Sequence, residues 1–286
     1  MNIITQPMGQ LLDYIYNNLA FKSYGIAIII FTIIIRVILL PLMVKQYHSM
    51  SRIQELNPKI QEIQKRYKND KEKLNQELMK IYQENNVNPA SGCLPLLIQL
   101  PILFGLWQVI SKPLTYMLNL HDKVDALAKA LSITAKSSGG YQEIGIINSF
   151  VGEKVNGILS SDVINTISQM KKGFMFPSSN FGINLGLKPS LAFSDFKSYF
   201  ILLLIPLIAV VTQYISAKIM TPKTSQGADN PMQKSMMFMA PMMTLIFSFN
   251  FPAGLGIYWI TGNVFQIFQQ MFINRLILKK KEVQTK

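Results

Sequence analysis

The sequence predicts an all-α polytopic membrane protein: five transmembrane helices, with an amphipathic helical hairpin outside the bilayer. Three observations carry this. Of 286 residues, 49% are hydrophobic and only 15% are charged, and the apolar residues come in long blocks rather than periodic stripes. The first block, 24–44 (YGIAIIIFTIIIRVILLPLMV), has 21 residues and one charge, Arg36. At about 1.5 Å per residue it reaches roughly 31 Å, the thickness of a bilayer core. Finally, a net charge of +13 calls for an anionic partner surface, either lipid head groups or RNA.

Residues 1–23 place Met8, Leu11, Leu12, Ile15, Tyr16 and Leu19 at 3–4 spacing. That pattern fits an extracytoplasmic helix lying on the membrane surface, or else a frayed leader to the first span. The start lacks a basic region, a compact apolar core and a small-residue cleavage site, so no cleaved signal peptide is expected. Within the first span, Arg36 sits twelve residues in, about 18 Å deep. A guanidinium there costs between about 3 and over 10 kcal/mol unless water or a partner reaches it.

Residues 45–90 change character, with nine Lys/Arg and six acids between Lys45 and Asn88. Tyr47, Met50, Ile53, Leu56, Ile60, Ile63 and Tyr67 form one apolar stripe; Leu74, Leu78, Ile81 and Tyr82 form a second. Asn57-Pro58 reads as an N-cap followed by proline at the first helical position, and Lys68-Asn69-Asp70 as the turn of a helical hairpin.

The second span, 91–111, carries no charge but holds Pro95, Gln99 and Pro101. Residues 112–197 are polar, with helix expected around Lys123–Leu131 and Ser161–Lys171 and loops elsewhere. The remaining spans are 198–217 (with Pro206 and Gln213), 235–251 and 254–274, the last two joined by the tight turn Phe251-Pro252-Ala253-Gly254. A short loop, 218–234, separates the third and fourth spans, and a basic tail, 275–286, ends the chain.

Among the short segments the hairpin holds nine Lys/Arg, the 218–234 loop three and the tail five, against one in residues 1–23. The positive-inside rule then puts the N-terminus outside and the hairpin, short loop and tail in the cytoplasm. The 112–197 loop is outside and is too long for its own charges to count.

None of the five spans contains Asp or Glu, so Arg36 has no counter-ion within them. Water and neutral polar groups would solvate it in a wet cavity; the alternative is that it snorkels to the cytoplasmic head groups. Candidate lining residues are Gln99, Gln108, Thr212, Gln213, Thr244, Ser248, Asn263 and Gln266. A fixed positive charge at mid-depth would attract acidic residues of an extended polypeptide entering lipid. Met232, Met236, Met237, Met239, Met242 and Met243 make either a surface that accepts many apolar sequences or a methionine-heavy core helix. The tail lysines Lys279, Lys280 and Lys281 read as a topology anchor or as a ribosomal RNA contact.

There is no glycine-rich phosphate loop, no spaced Cys/His set and no nucleophile–base arrangement. The single cysteine, Cys93, lies among apolar residues and reads as a packing residue. No enzymatic activity, metal or cofactor is expected.

Asn88-Pro89-Ala90-Ser91-Gly92-Cys93-Leu94-Pro95, followed by Ile98-Gln99-Leu100-Pro101, resembles the second-span signature of the YidC family of membrane protein insertases. Phe251-Pro252-Ala253-Gly254-Leu255, with Ile257-Tyr258-Trp259 and Asn263 through Gln269, resembles that family's last-hairpin signature. Arg36 followed by Leu39-Leu40-Pro41-Leu42 falls where the family has its groove arginine. The resemblance covers all five spans, the hairpin and the tail, and is to the five-span Gram-positive type. The only cysteine lies in the second span, so no N-terminal lipid anchor is expected.

The resemblance implies a hydrophilic groove open to cytoplasm and lipid, with Arg36 as its functional charge and Gln99, Gln213 and Trp259 in its lining. It also implies a mobile hairpin that receives nascent membrane proteins, action alone or beside the Sec translocon, contact with ribosomes, and a bacterial plasma-membrane location. Two other readings compete. A small-solute carrier or channel would predict internal repeats and an intramembrane carboxylate, neither of which the sequence has. A passive assembly scaffold would give Arg36 no task.

Overall fold

The computed structural model describes residues 2–85, 94–134, 140–176, 182–189, 196–220 and 231–284. The start of the Asn88–Pro95 motif with Cys93, residues 177–181 and most of the 218–234 loop lie outside these. The described residues are mostly helical, with one two-stranded sheet. They form two units, residues 1–36 with 104–286, and residues 37–103.

The apolar runs of the sequence become long helices: α2 (Tyr24–Glu55), α5 (Leu94–Ser111), α10 (Phe196–Met220), α11 (Pro231–Asn250) and α12 (Ala253–Gln284). Pro41, Pro101, Pro206 and Pro241 sit inside four of them. Tyr24–Lys45 and Leu202–Ile219 are each long and apolar enough to cross a membrane, yet only 22% and 28% of these stretches are buried within the protein. Helices this apolar and this uncovered need an apolar solvent, which is what a bilayer supplies. Leu100–Ser111 and Phe238–Asn250 are shorter apolar helices among the described residues.

In the first unit, α10 packs against both α11 and α12. Helices α2 and α12 run side by side in the same direction. Gly254 lies beneath Ile28, where an added Cβ would meet the Ile28 side chain at 3.2 Å, and eight residues further along both helices Gly262 lies beneath Arg36. Close approach needs these glycines, because a side chain at either would fill the gap.

The segment after α5 is far more ordered than its polar sequence suggests. The expected helices are present as α7 (Val124–Ala130) and α9 (Ser161–Gly173). Where loops were expected there are also α6 (Pro113–Tyr116), α8 (Gln142–Asn148), and strands β1 (Met175–Phe176) and β2 (Ile183–Asn184), paired antiparallel. Helix α8 is too short for a periodic signal but buries Ile144, Ile146 and Ile147. The segment reaches the α11–α12 turn through backbone bonds: Ala253 N–H donates to Leu187 O (2.8 Å) and Gly254 N–H to Leu185 O (2.9 Å). Two of the orphan N–H groups that begin α12 are thereby satisfied.

Helix α1 (Asn2–Asn18) carries the predicted stripe, but the stripe faces protein rather than lipid. Met8, Leu12, Ile15 and Tyr16 are buried, whereas Leu19 is 48% exposed. Gly9 sits on Tyr116, Gly105 of α5 sits on Met8 and Ile4, and Gly173 of α9 sits on the Lys22 carbonyl and Tyr16. The expectation of a membrane-surface helix assigned the apolar face to lipid because sequence alone offers no partner for it.

The second unit contains α3 (Asn57–Arg66) and α4 (Lys71–Glu84), joined by a turn. Leu56 and Ile60 are buried, with Ile53, Leu78, Ile81 and Tyr82 packed around them. Asp70 caps α4, its carboxylate accepting from Lys73 N–H at 3.0 Å. The expected Asn57 cap is corrected: Leu56 takes the cap position in helical geometry with no side-chain bond, and Asn57 is already helical. Ile60 N–H bonds back to Leu56 O at 3.0 Å, so the backbone satisfies itself there and has no use for the amide.

Candidate functional site

The site is built on α12, which meets α2 at Gly262 and α10 at Asn263. Arg36 is half-buried on α2, in a stretch otherwise made of Ile, Val and Leu. Among the described residues it forms no ion pair. Its guanidinium meets α12 at Gly262: a Cβ there would stand 2.7 Å from one Nη and 3.4 Å from both Cζ and Nε. Tyr258, one turn earlier on the same face and 3% exposed, is within electrostatic reach of the guanidinium. One turn before Arg36 on α2, Thr32 is buried and its hydroxyl donates to Ile28 O at 2.6 Å. This internal bond leaves Thr32 satisfied without a second helix.

The next residue on α12 performs a separate task. Asn263 is 5% exposed, and its Nδ2 donates to Thr212 Oγ1 (3.2 Å) and Ala209 O (3.4 Å) of α10. The Thr212 hydroxyl in turn donates to Ile208 O at 2.8 Å. Asn263 and Thr212, both expected as lining, therefore form an interhelical clamp. Thr244 is buried and spends its hydroxyl on Ala240 O (3.0 Å); Ser248 is buried without a protein partner for its Oγ among the described residues.

Trp259, next to Tyr258 on α12, belongs to an aromatic cluster. It stacks on Phe247 (centroids 6.2 Å apart, planes 18°) and meets the edge of Phe251 at 6.3 Å. Phe251 also meets Trp107 of α5 edge to face at 5.8 Å. Four rings from α5, the α11 end and α12 thus close on one another. Tyr141, in the segment after α5, donates to Asn250 O beside them (3.1 Å).

Of the other expected lining residues, Gln108 accepts from the Tyr116 hydroxyl (2.8 Å), so it ties α5 to α6. Gln213 and Gln266 are half-buried on α10 and α12. The side chains of Gln99, Lys279, Lys280 and Lys281 lie outside the described residues. Met239, Met242 and Met243 are 58%, 56% and 45% exposed, which excludes the core-helix reading for these three. Sequence reasoning missed Gly262, Phe247 and Trp107. A glycine in an apolar helix and two aromatic residues give no sign, one at a time, of the partner they will meet.

Comparison with known proteins identifies the family. The model of the 60Kd inner membrane protein family matches residues 15–281. The chain is 32% identical over 283 residues to membrane protein insertase YidC 2 of Listeria innocua, covering 98% of this chain and 73% of that protein. It is 30% identical to YidC 2 of Bacillus anthracis (93% and 78% covered) and 28% identical to the insertase MisCA of Bacillus subtilis (97% and 80% covered). Against the YidC proteins of Syntrophobacter fumaroxidans and Pelobacter propionicus, each 30% identical, it spans only 38% and 39% of their length. The chain belongs to the 60Kd inner membrane protein family, the family of the YidC-type membrane protein insertases.

Proposed function

We propose that this chain is a membrane protein insertase, and that Arg36 is the fixed charge of a groove through which transmembrane segments of nascent proteins enter the bilayer. The observation that carries the reading is the half-buried guanidinium, resting on Gly262 of α12 and forming no ion pair among the described residues. A cation held this way has field to spare for an acidic group on an incoming chain. In this reading the five long helices are five spans, the N-terminus is outside, and α3 and α4 are a cytoplasmic hairpin that receives substrate. The polar clamp of Asn263 and Thr212 and the ring of Trp259 border the groove, and Gln99 and Gln213 add to its lining. The basic tail with Lys279, Lys280 and Lys281 meets the ribosome, and the protein works alone or beside the Sec translocon. No covalent chemistry is required; the work is solvation of polar segments in transit.

The test is reconstitution into liposomes with a small single-span substrate synthesised alongside, read as protease protection of the substrate's translocated end. Wild type should protect the substrate, and Arg36→Glu should lose protection while keeping its fold. Protection no better than that of empty liposomes would overturn the stand-alone insertase.

A further inference from the structure

We infer that Gly262 is the positioning residue for Arg36: its missing side chain is the seat that holds the guanidinium at a set depth and points it between α2 and α12. The inference rests on the insertase reading for its functional consequence, but not for its geometry.

The register of the two helices sets the depth. Ile28 meets Gly254 and Arg36 meets Gly262, the same eight-residue step along both. At about 1.5 Å per residue, the guanidinium is held roughly 12 Å from the Ile28–Gly254 level. A long flexible side chain in an apolar helix would otherwise sweep a wide arc toward the nearest water. Here the guanidinium is set against the bare backbone of Gly262, with Tyr258 one turn earlier on α12.

The seat is also kept from turning. Asn263, next in sequence, bonds Thr212 and Ala209 of α10. Rotation of α12 to move Gly262 aside would break both bonds. One residue anchors the helix and its neighbour receives the cation.

The geometry separates positioning from folding. An alanine methyl at Gly262 would come within 2.7 Å of a guanidinium nitrogen, the free end of a flexible side chain, which can swing away. Alanine is meanwhile the better helix former. Gly262→Ala should therefore keep or raise thermal stability while displacing the charge. A lysine at 36 ends near the Cζ position of the arginine, which is 3.4 Å from the same methyl, an ordinary contact. Gly262→Ala should then matter with arginine at 36 and cease to matter with lysine.

The experiment compares wild type, Gly262→Ala, Arg36→Lys and the double variant in liposomes. Three readouts are taken: thermal stability, the rate at which a dicarbonyl reagent modifies Arg36 (followed by peptide mass), and protection of a single-span substrate with an acidic translocated end. Expected for Gly262→Ala are unchanged or raised stability, a several-fold change in Arg36 modification rate and several-fold weaker protection, with no added loss of protection in the Arg36→Lys background. A modification rate equal to wild type, or an equal loss of protection in the lysine background, would overturn the seat. If wild type itself protects nothing, the insertase reading fails while the modification rate still decides on the seat.

Discussion

Glu143 and Thr115 form a tertiary helix cap: the Glu143 carboxylate accepts from the Thr115 backbone N–H (2.9 Å) and from its hydroxyl (2.5 Å). Thr115 lies in the first turn of α6, so a side chain from α8 supplies the acceptor that Lys112, at the cap position, does not. Burial pushes the Glu143 carboxyl above the ordinary glutamate range, and the bonds from Thr115 oppose this only in part. An acid whose pKa is raised by folding stabilises the fold while protonated in both states. That contribution is lost as pH rises from the unfolded value through the folded one. The segment around α6 and α8 should therefore lose stability as pH climbs just above the ordinary glutamate range, and Glu143→Gln should flatten the dependence. Thermal unfolding in detergent across that range decides it; an unchanged slope in the glutamine variant would count against the account.

Asn263 ties α12 to α10 through two bonds in an apolar setting. Interhelical hydrogen bonds of this kind average about 0.6 kcal/mol and reach about 1.7 kcal/mol. Asn263→Leu keeps the volume and removes both, so unfolding in mild detergent should be easier by that amount. Thr212→Val should cost less, because Asn263 keeps Ala209 O. Equal losses would place the weight on packing rather than on the amide.

Both tryptophans of the chain, Trp107 and Trp259, touch Phe251. Phe251→Ala removes an edge contact from each, at about 0.5–1.5 kcal/mol per aromatic pair. The expected result is greater access of acrylamide to the tryptophan emission and a lower unfolding temperature. Emission as shielded as in wild type would mean that the rings do not depend on one another.

The α3/α4 unit has a small core of Leu56 and Ile60 with four partly buried neighbours. Small cores open locally at low free energy. Backbone amides of α3 and α4 should exchange hydrogen faster than those of α10 and α12. Asp70→Ala should speed exchange in the first turn of α4, at a cost of about 1 kcal/mol, since the Lys73 N–H loses its acceptor. Equal protection of this unit and the long helices would refute the first statement.

Gly173 meets the Lys22 carbonyl and the Tyr16 ring with no room for a side chain. Gly173→Val should free α1 from α9 and expose the α1–α2 turn to protease. Resistance equal to wild type would show that α1 is held mainly by Gly9 on Tyr116.

Much of the fold was legible because it follows from composition along single helices. The isoleucine run of 24–44, the apolar block around 202–219 and the proline-marked turn at 251–254 each announce themselves locally, since a lipid-solvated helix must be apolar over its whole length. The stripes around Ile60 and Ile81 likewise marked helices that pack on each other. Glycine seats, short helices such as α8 and two-residue strands leave no periodic trace, which is why the polar segment after α5 holds more structure than its sequence suggests.

The sequence by itself determined that apolar helices dominate the chain and that one of them carries an arginine with no acid in any span. It could not assign that arginine a neighbour. Contact between Arg36 and Gly262, residues 226 positions apart, depends on the register of α2 against α12 and on the rotation of α12 held by Asn263. Register and rotation are properties of packed surfaces, set by which side chains are missing as much as by which are present.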